Sequence, residues 1–346
     1  MGKPTHLKRI LIIRLSAMGD VLLTTPLLRM VKNHFPGIQI DFLVKKRYEP
    51  LLWCNPHLNR LLTFSSEKGF SEVRRLIHQV RKTKYDCIFD LQMNLRSLFF
   101  RLFSRGEMKI RYRLGRWDRF LLVHWRIHLN KDFKPVPLRY LESVSPWGVE
   151  DDEKGLELTI DEEARHSVAS NLLNRGIGDV EDYVVLAPGA GHWTKRWPAE
   201  SFAQVGSHFC KKGKPVFLVG GIEDKRVCWM VEKNMDLAPR NLAGELSLRE
   251  TAAFLDNAAL LISNDTGVMH MGAALGKRVV AIFGPTTRHL GFMPFRTSSI
   301  VVERPLFCRP CSFHGSESCP RDHFQCMKQI HSSDVIRSAE TLLEEG

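Results

Sequence analysis

Residues that bind anions and hydroxyl groups occur together in the second half of the chain. Asp265, Thr266, Gly267 and His270 follow a short apolar run that predicts a buried strand, and they open a predicted helix. Backbone N–H groups at the start of a helix attract a diphosphate, and the Thr266 hydroxyl adds a donor. His270 lies one turn further along on the same helical face. Each residue alone could be a helix cap or a buried histidine, but their combination indicates an anion site.

Two other segments carry groups that complement this one. Residues 188–198 follow an earlier predicted strand and contain Lys195, a point charge suited to phosphate. Glu223 follows the next strand and could accept hydrogen bonds from ribose hydroxyls. Taken singly, Lys195 could be a solvated surface lysine and Glu223 a carboxylate in the first turn of a helix. Ligands bind at the carboxyl ends of parallel strands, so three such loops predict one shared site.

Asp20 is the candidate catalytic group in the first half of the chain. A predicted strand at residues 9–14 leads through a turn containing Gly19 into a helix. The turn lacks a full G-x-G-x-x-G pattern, so a dinucleotide site is weakly indicated. A carboxylate at the end of a strand could accept the proton of a bound hydroxyl. The alternative is a carboxylate that caps the first turn of the helix.

Short apolar runs alternate with longer amphipathic ones, a pattern typical of parallel sheets with crossover helices. The predicted strands cover residues 9–14, 40–45, 87–91, 183–189, 215–221, 259–265 and 278–284. With about 150 residues per domain, a chain of 346 residues should form two domains. We expect an α/β protein in which two Rossmann-like domains face each other across a ligand cleft. The predicted domains are residues 1–178 and 179–330, followed by a helix at 331–346 that could pack on the N-terminal domain.

The positive charge is concentrated in one half of the chain. The net charge is +12, yet residues 1–150 hold 28 Lys and Arg against 12 Asp and Glu. Residues 96–139 contain twelve basic residues, three acidic residues and interleaved aromatic side chains. Such a stretch needs an anionic partner, and an anionic bilayer suits both its charges and its aromatics. Nucleic acid could use the same surface, but no helix-turn-helix, RNP or zinc-finger pattern supports that partner.

The apolar segments and the cysteines indicate a reducing compartment. The run at residues 10–13 is too short for a signal peptide, and no run approaches a membrane span of about 18 residues, so we expect a cytoplasmic protein. Near the C-terminus four cysteines have a spacing compatible with a structural zinc or iron site, the alternative being reduced, partly buried thiols. They are Cys308, Cys311, Cys319 and Cys326.

In the order of its motifs the chain resembles the lipopolysaccharide heptosyltransferases of glycosyltransferase family 9. The motifs are R-L-S-A-M-G-D at 14–20, D-L-Q-M-N-L-R-S at 90–97, P-G-A-G-x-x-x-K-R-W-P at 188–198, G-G-x-E at 220–223, S-N-D-T-G-x-x-H at 263–270 and F-G-P-T at 283–286. The resemblance extends over nearly the whole chain. It implies a GT-B fold, an inverting mechanism, the donor ADP-L-glycero-D-manno-heptose and an acceptor in the inner core of lipopolysaccharide.

The resemblance also assigns roles to residues. Asp20 matches the proposed general base of the family. From its position after the predicted strand ending at Leu91, Arg96 is the best candidate for a contact with the acceptor. The donor-binding positions are Lys195, Glu223, Asp265, Thr266, Gly267 and His270. Where some members carry paired hydroxyl residues in the phosphate loop, this chain has Ala190 and Gly191, so backbone N–H groups would replace them.

No catalytic cofactor is expected, and the enzyme should work peripherally at the inner face of the inner membrane. Two alternatives stay open. The same fold could use another nucleotide-sugar donor for a surface glycan or a protein acceptor. A non-catalytic, basic nucleic-acid-binding protein would leave the residues of the donor site unexplained.

Overall fold

The structure is a computed structural model that describes residues 7–65, 67, 69–112, 121–125, 134–178 and 180–345. The chain divides into two compact units. The N-terminal unit comprises residues 1–114 and 136–159, and the C-terminal unit comprises 115–135 and 160–346. Each unit is built on its own parallel β-sheet.

The N-terminal unit has a five-stranded sheet with the strand order β3-β2-β1-β4-β5. The strands are β1 (Arg9–Ile13), β2 (Gln39–Lys45), β3 (Arg60–Phe64), β4 (Tyr85–Asp90) and β5 (Gly106–Arg111). The α-helices described in this unit are α1 (Met18–Leu22), α2 (Thr25–His34), α3 (Gly69–Arg81), α4 (Leu95–Phe103) and α5 (Val136–Glu142). The central strands β1 and β4 are almost entirely buried, as their continuous apolar sequences predict.

The three strands predicted in the first half are confirmed, while two strands and one break were missed. The edge strands β3 and β5 carry mixed polar and apolar residues, so their sequences lack a continuous apolar run. The helix predicted from Val21 to Phe35 is split into α1 and α2. Pro26 in the first turn of α2 explains the split, because proline starts a helix well but cannot continue one.

The C-terminal unit has a six-stranded sheet with the strand order β11-β10-β9-β6-β7-β8. The strands are β6 (Val184–Ala187), β7 (Val216–Leu218), β8 (Arg240–Asn241), β9 (Leu260–Asn264), β10 (Arg278–Phe283) and β11 (Ser299–Glu303). The α-helices described are α6 (Glu162–Asn174), α7 (Ala199–Lys211), α8 (Lys225–Lys233), α9 (Leu248–Asp256), α10 (Gly267–Ala274), α11 (Gln325–Lys328) and α12 (Ser332–Glu344). The four strands predicted in this half are confirmed, and Ser247 caps α9 through the predicted capping box.

The boundary between the units lies near residue 160, earlier than the predicted boundary at 178. Helix α6 belongs to the C-terminal unit because it is held against α9. Arg249 pairs with Asp161 and Glu163 at 2.5 and 2.8 Å, and Ser167 donates a hydrogen bond to Glu250.

The terminal helix α12 groups with the C-terminal unit, whereas the sequence had left packing on the N-terminal domain open. Its side chains Val335, Ala339 and Leu342 are buried in the core that contains β6, β9 and β10. These residues recur at helical spacing, so one face of α12 covers the C-terminal sheet.

Two buried tyrosines in the N-terminal unit have contrasting hydrogen bonding. Tyr85 donates at 2.8 Å to Asp41, which is fully buried and has Arg9 and Arg60 each 3.9 Å away. The Tyr112 hydroxyl is buried with no hydrogen-bond partner among the described residues. The two hydroxyls should therefore contribute differently to stability.

We expect Tyr85→Phe to lower the free energy of unfolding by about 1.5–3 kcal/mol, because it removes a hydrogen bond to a buried carboxylate. Tyr112→Phe is the matched control and should leave stability unchanged or raised, since it deletes an unsatisfied hydroxyl. Urea unfolding of both variants measures the difference. Equal losses in the two variants would contradict this account.

Candidate active site

The carboxyl ends of four neighbouring strands form one edge of the C-terminal sheet. In the order of the sheet the strands are β10, β9, β6 and β7, and each is followed by a loop containing motif residues. The loops cover residues 284–287, 265–266, 188–198 and 219–224. The predicted convergence of these segments at one sheet edge is therefore present in the fold.

Lys195 and Asp265 form an ion pair at this edge. Lys195 Nζ lies 2.7 Å from Asp265 Oδ2, and Thr286 Oγ1 donates to the same oxygen at 2.7 Å. The side chains of Lys195 and Asp265 are 15% and 6% exposed, so both are largely withdrawn from water. The carboxylate thus orients the ammonium group. The contribution of Thr286 was not predicted from its place in the F-G-P-T motif.

Helix α10 begins beside this ion pair. Its N-cap residue Thr266 is extended, and among the described residues the Thr266 side chain caps no N–H group of the helix. The Thr266 hydroxyl instead lies 3.3 Å from that of Ser263. Gly267 and the next residue are partly exposed, so the positive end of the helix faces accessible space. His270 is only 4% exposed and packs within the unit one turn further along.

Glu223 and Asp224 occupy the turn after β7 and differ in environment. Glu223 is exposed, as a group that binds a ligand hydroxyl would be. Asp224 accepts the Gly221 N–H at 3.0 Å and packs so closely on Gly189 that a Cβ there would lie 2.2 Å from the Asp224 Cγ. Burial raises the pKa of Asp224. Asp224 therefore joins two loops, which explains glycine at position 189.

Asn264 is a residue of the site that the sequence reasoning missed. Its side chain is fully buried at the end of β9. Nδ2 donates to the Pro188 carbonyl at 2.8 Å, and Oδ1 accepts the Trp197 N–H at 3.1 Å. One carboxamide thus ties both ends of the loop that carries Lys195 to the strand that leads into α10. The signal was present in S-N-D-T-G, where a polar residue ends an apolar strand.

The segment that contains the four cysteines braces the same loop. Thr194 Oγ1 donates to the Ser316 carbonyl at 2.9 Å and accepts the Ser316 N–H at 2.8 Å. The rings of Trp193 and Phe324 are 4.4 Å apart. Trp193 and Thr194 are therefore held in place, and Lys195 follows directly after them.

The predicted zinc or iron site at Cys308, Cys311, Cys319 and Cys326 is not supported. The described residues include all eight cysteines, which form no disulfide, and contain no group of three or more His, Cys, Asp or Glu side chains placed to hold a metal. Burial raises the pKa of the Cys326 thiol to about 12, and the nearby Cys311 adds a smaller effect in the same direction. The thiol therefore stays protonated. The segment contributes through packing and hydrogen bonds.

In the N-terminal unit, Asp20 pairs with a buried arginine. Arg14 Nη2 lies 2.6 Å from Asp20 Oδ2, and Arg14 also donates to the Leu91 carbonyl. Burial opposes the charge of Arg14, but Asp20 outweighs it and raises the pKa of the guanidinium. Asp20 also accepts the Ala17 N–H at 3.0 Å in the first turn of α1. Asp20 therefore does cap the first turn of α1. The hydrogen bond holds its side chain in place, and the side chain stays 18% exposed.

Basic side chains flank Asp20 at the carboxyl edge of the N-terminal sheet. Arg96 is exposed in the first turn of α4, after β4, and Lys45 ends β2, so both adjoin the strand that leads to Asp20. Burial, with the nearby charges of Arg47 and Arg96, lowers the pKa of Lys45. The positive charges of Arg47 and Arg96 therefore act on Lys45. Lys45 and Arg47 were not among the predicted site residues.

Only part of the predicted basic segment can be placed. Arg101 is buried and its Nε lies 3.8 Å from Asp90, so it does not face a partner. No helix in the described ranges is long and apolar enough to cross a membrane. The following members of the segment lie outside the described residues: Arg113, Arg116, Trp117, Arg119, Phe120, Arg126 and Lys131.

The comparison with protein families decides the class of the protein. The profile of glycosyltransferase family 9 (heptosyltransferase) matches residues 73–318, which is most of the chain. The chain belongs to glycosyltransferase family 9. Lipooligosaccharide heptosyltransferase 2 of Campylobacter jejuni is 30% identical to this family 9 enzyme over 355 aligned positions, covering 94% of this chain and 96% of the relative.

Solved structures support the fold. A family 9 glycosyltransferase from Veillonella parvula superposes with a TM-score of 0.85 at 24% identity and covers 100% of both chains. The ADP-heptose lipopolysaccharide heptosyltransferase II of Escherichia coli gives a TM-score of 0.76 at 22% identity, covering 97% of this chain and 99% of that one. The family 9 enzyme therefore has the GT-B fold, with two parallel-sheet α/β domains.

Asp224 gives the family 9 enzyme a testable pH dependence. Because burial raises its folded-state pKa, ionisation of Asp224 opposes folding. Relative to Asp224→Asn, the native chain should lose free energy of unfolding as the pH rises from about 4 through the raised pKa towards about 7. Urea unfolding of both proteins across this range measures the change. Asp182→Asn, at an exposed carboxylate, is the control, and a constant difference for Asp224→Asn would contradict the assignment.

Proposed function

We propose that this enzyme is an inverting heptosyltransferase that moves heptose from ADP-L-glycero-D-manno-heptose to an inner-core acceptor of lipopolysaccharide. The observation that carries the proposal is the Lys195 ammonium, oriented by Asp265 beside the N-terminus of α10. This arrangement suits a diphosphate. The names of the relatives, an ADP-heptose lipopolysaccharide heptosyltransferase II among them, support this donor and acceptor.

The donor's diphosphate would bind between Lys195 and the first N–H groups of α10. The backbone of the loop containing Ala190 and Gly191 would supply further N–H donors in place of hydroxyl side chains. Exposed Glu223 would accept hydrogen bonds from the ribose hydroxyls of the nucleoside. When ADP leaves, its new negative charge would be stabilised by the same cation and helix terminus, a preorganised electrostatic contribution to catalysis.

Asp20 would be the general base. As the acceptor hydroxyl oxygen forms a bond to the anomeric carbon, the bond from that carbon to the diphosphate oxygen breaks. The hydroxyl proton passes to Asp20 and ADP departs with the bonding pair. Arg14 and the Ala17 N–H hold the carboxylate in one orientation, so the base is positioned before substrate binds. Attack opposite the leaving group inverts the anomeric configuration.

The cations beside Asp20 support an acceptor that carries phosphate. Lys45, Arg47 and Arg96 lie close enough for their charges to interact, and like charges repel unless an anion neutralises them. A phosphorylated core acceptor would do so next to the base. We place the reaction at the cytoplasmic face of the inner membrane, where such lipids and anionic phospholipids meet the enzyme, and propose no nucleic-acid partner.

We expect Asp20→Asn to lower kcat by about 10²- to 10⁴-fold while the affinity for ADP stays constant, because only proton transfer is lost. Release of ADP from ADP-heptose, with a deacylated core acceptor, measures turnover. Asp182→Asn is the control for the substitution type. Normal turnover of Asp20→Asn would remove Asp20 from its role, and release of the nucleotide from another sugar donor only would reject the donor.

Lys195→Ala should weaken ADP binding by roughly 10- to 100-fold, since it removes a charge-assisted contact and leaves Asp265 without its cation. Calorimetric titration with ADP measures the affinity. Lys211→Ala, at an exposed lysine paired with Asp236, is the matched control. Equal affinities for the two variants would contradict a diphosphate site at Lys195.

We expect turnover to persist in the presence of a chelator. Lys195 and the α10 N-terminus would stabilise the departing diphosphate in the role that a divalent metal plays in other enzymes. The measurement is ADP release with excess EDTA, compared with the same assay after addition of magnesium. Activity lost with EDTA and restored by magnesium would overturn this expectation.

A further inference from the structure

Helix α4 has its polar and apolar sides reversed. Its buried side carries Ser97 and Arg101, both directed to Asp90: Ser97 Oγ donates at 3.1 Å and Arg101 Nε lies 3.8 Å away. Phe100 is its fully buried aromatic side chain. A surface helix usually turns its apolar residues inward, so the outer side of α4 calls for a separate explanation.

The outer side of α4 presents four large apolar side chains. Leu95, Phe99, Leu102 and Phe103 are 76%, 46%, 57% and 48% exposed. Their spacing places them on one face of the helix. The rings of Phe99 and Phe103 are stacked in parallel with centroids 6.2 Å apart. Single exposed apolar residues are ordinary, but a continuous row of this size marks an interaction surface.

A basic groove of about 1040 Å³ lies along α3. No carboxylate lines the groove within the described part of the chain. Arg75 forms an ion pair with Glu72. The other basic side chains that line the groove form no ion pair with any of the described residues. The basic side chains that line it are Arg74, Arg75, His78, Arg81, Lys82 and Arg105, all of them exposed.

The basic groove and the apolar row adjoin each other. Leu76 and Val80 of α3 share a core cluster with Phe100 of α4, so both helices cover the same face of the sheet. Arg105, which lines the groove, follows Phe103 by two residues. One continuous surface therefore combines exposed aromatic and aliphatic side chains with a cluster of cations.

We propose that this α3–α4 surface docks the enzyme on an anionic phospholipid bilayer. The apolar row of α4 would enter the boundary between headgroups and acyl chains, and the groove would bind lipid phosphates. Nucleic acid would match the cations but leave the leucines in water, and a second copy of the chain would bring like charges together. A bilayer with anionic headgroups satisfies both halves of the surface.

The inference deepens the proposed function, since it rests on the enzyme meeting its acceptor at a membrane. It also revises the interface expected from residues 96–139. Cations of α3 from outside that segment join the surface, while Arg101 inside it is buried. Arg96 and Asp20 belong to the carboxyl edge of the sheet and are not needed for docking.

The test is co-sedimentation of the full chain with vesicles of phosphatidylethanolamine and phosphatidylglycerol, compared with phosphatidylcholine vesicles. We expect at least tenfold preference for the anionic vesicles, and a loss of binding as salt is raised. The double variants Phe99→Ser/Phe103→Ser and Arg81→Gln/Arg105→Gln should each bind at least tenfold more weakly. The matched controls are Leu173→Ser, at an exposed leucine of α6, and Lys211→Gln/Arg337→Gln.

Three results would overturn the proposal: equal binding to both kinds of vesicle, double variants that bind like the native chain, or lipid-free dimerisation abolished by Phe99→Ser/Phe103→Ser. Turnover with the deacylated acceptor separates this inference from the proposed function. Docking variants should retain turnover within about twofold of the native chain, which also confirms that they fold. An enzyme that docks as expected but transfers no heptose would reject the proposed function alone.

Discussion

The arrangement of the loops at the carboxyl edge of the C-terminal sheet depends on one buried carboxamide. A buried polar side chain must satisfy its hydrogen bonds within the protein, and Asn264 does so with backbone groups at both ends of the Lys195 loop. The loop is thereby held against β9, from which Asp265 leads into α10. The cation, its carboxylate partner and the helix terminus are consequently held together, since Asn264 bonds to both ends of the Lys195 loop and directly precedes Asp265 in the chain.

Positive charge is distributed differently in the two units. In the C-terminal unit a single ammonium, paired with Asp265, stands beside a helix terminus, so the anion site needs little net charge. In the N-terminal unit, cations gather at two places: near Asp20 at the carboxyl edge of the sheet, and along α3. The excess positive charge of the chain therefore lies mainly in the unit for which we propose acceptor and lipid binding, and the proposed donor site relies on one lysine and a helix terminus.

The sequence predicted every central strand and the meeting of three motif-bearing loops at one edge of the C-terminal sheet, because continuous apolar runs are strong local signals. It did not predict the four edge strands β3, β5, β8 and β11. The sequences of β3 and β5 mix polar and apolar residues, and β8 has only two residues. The hydrogen bonds of Asn264 join groups 67 and 76 residues apart in the chain, and the ion pair of Arg14 with Asp20 depends on how the turn after β1 closes. The reversed polarity of α4 could not be derived from composition either, since Arg101 is buried only because Asp90 lies beneath it.

The C-terminal tail is an integral part of the carboxyl edge of the C-terminal sheet. Arg309 of the tail is buried and donates hydrogen bonds to the carbonyls of Phe283, Gly284 and Thr286. The Ser316 N–H donates to the Thr194 hydroxyl in the neighbouring loop. The two loops and the tail therefore form one hydrogen-bonded unit of the structure. Exchanging residues 188–198 or 283–286 for those of another chain without the tail would leave Ser316 and Arg309 without partners that lie 122 and 23 to 26 residues earlier in the chain.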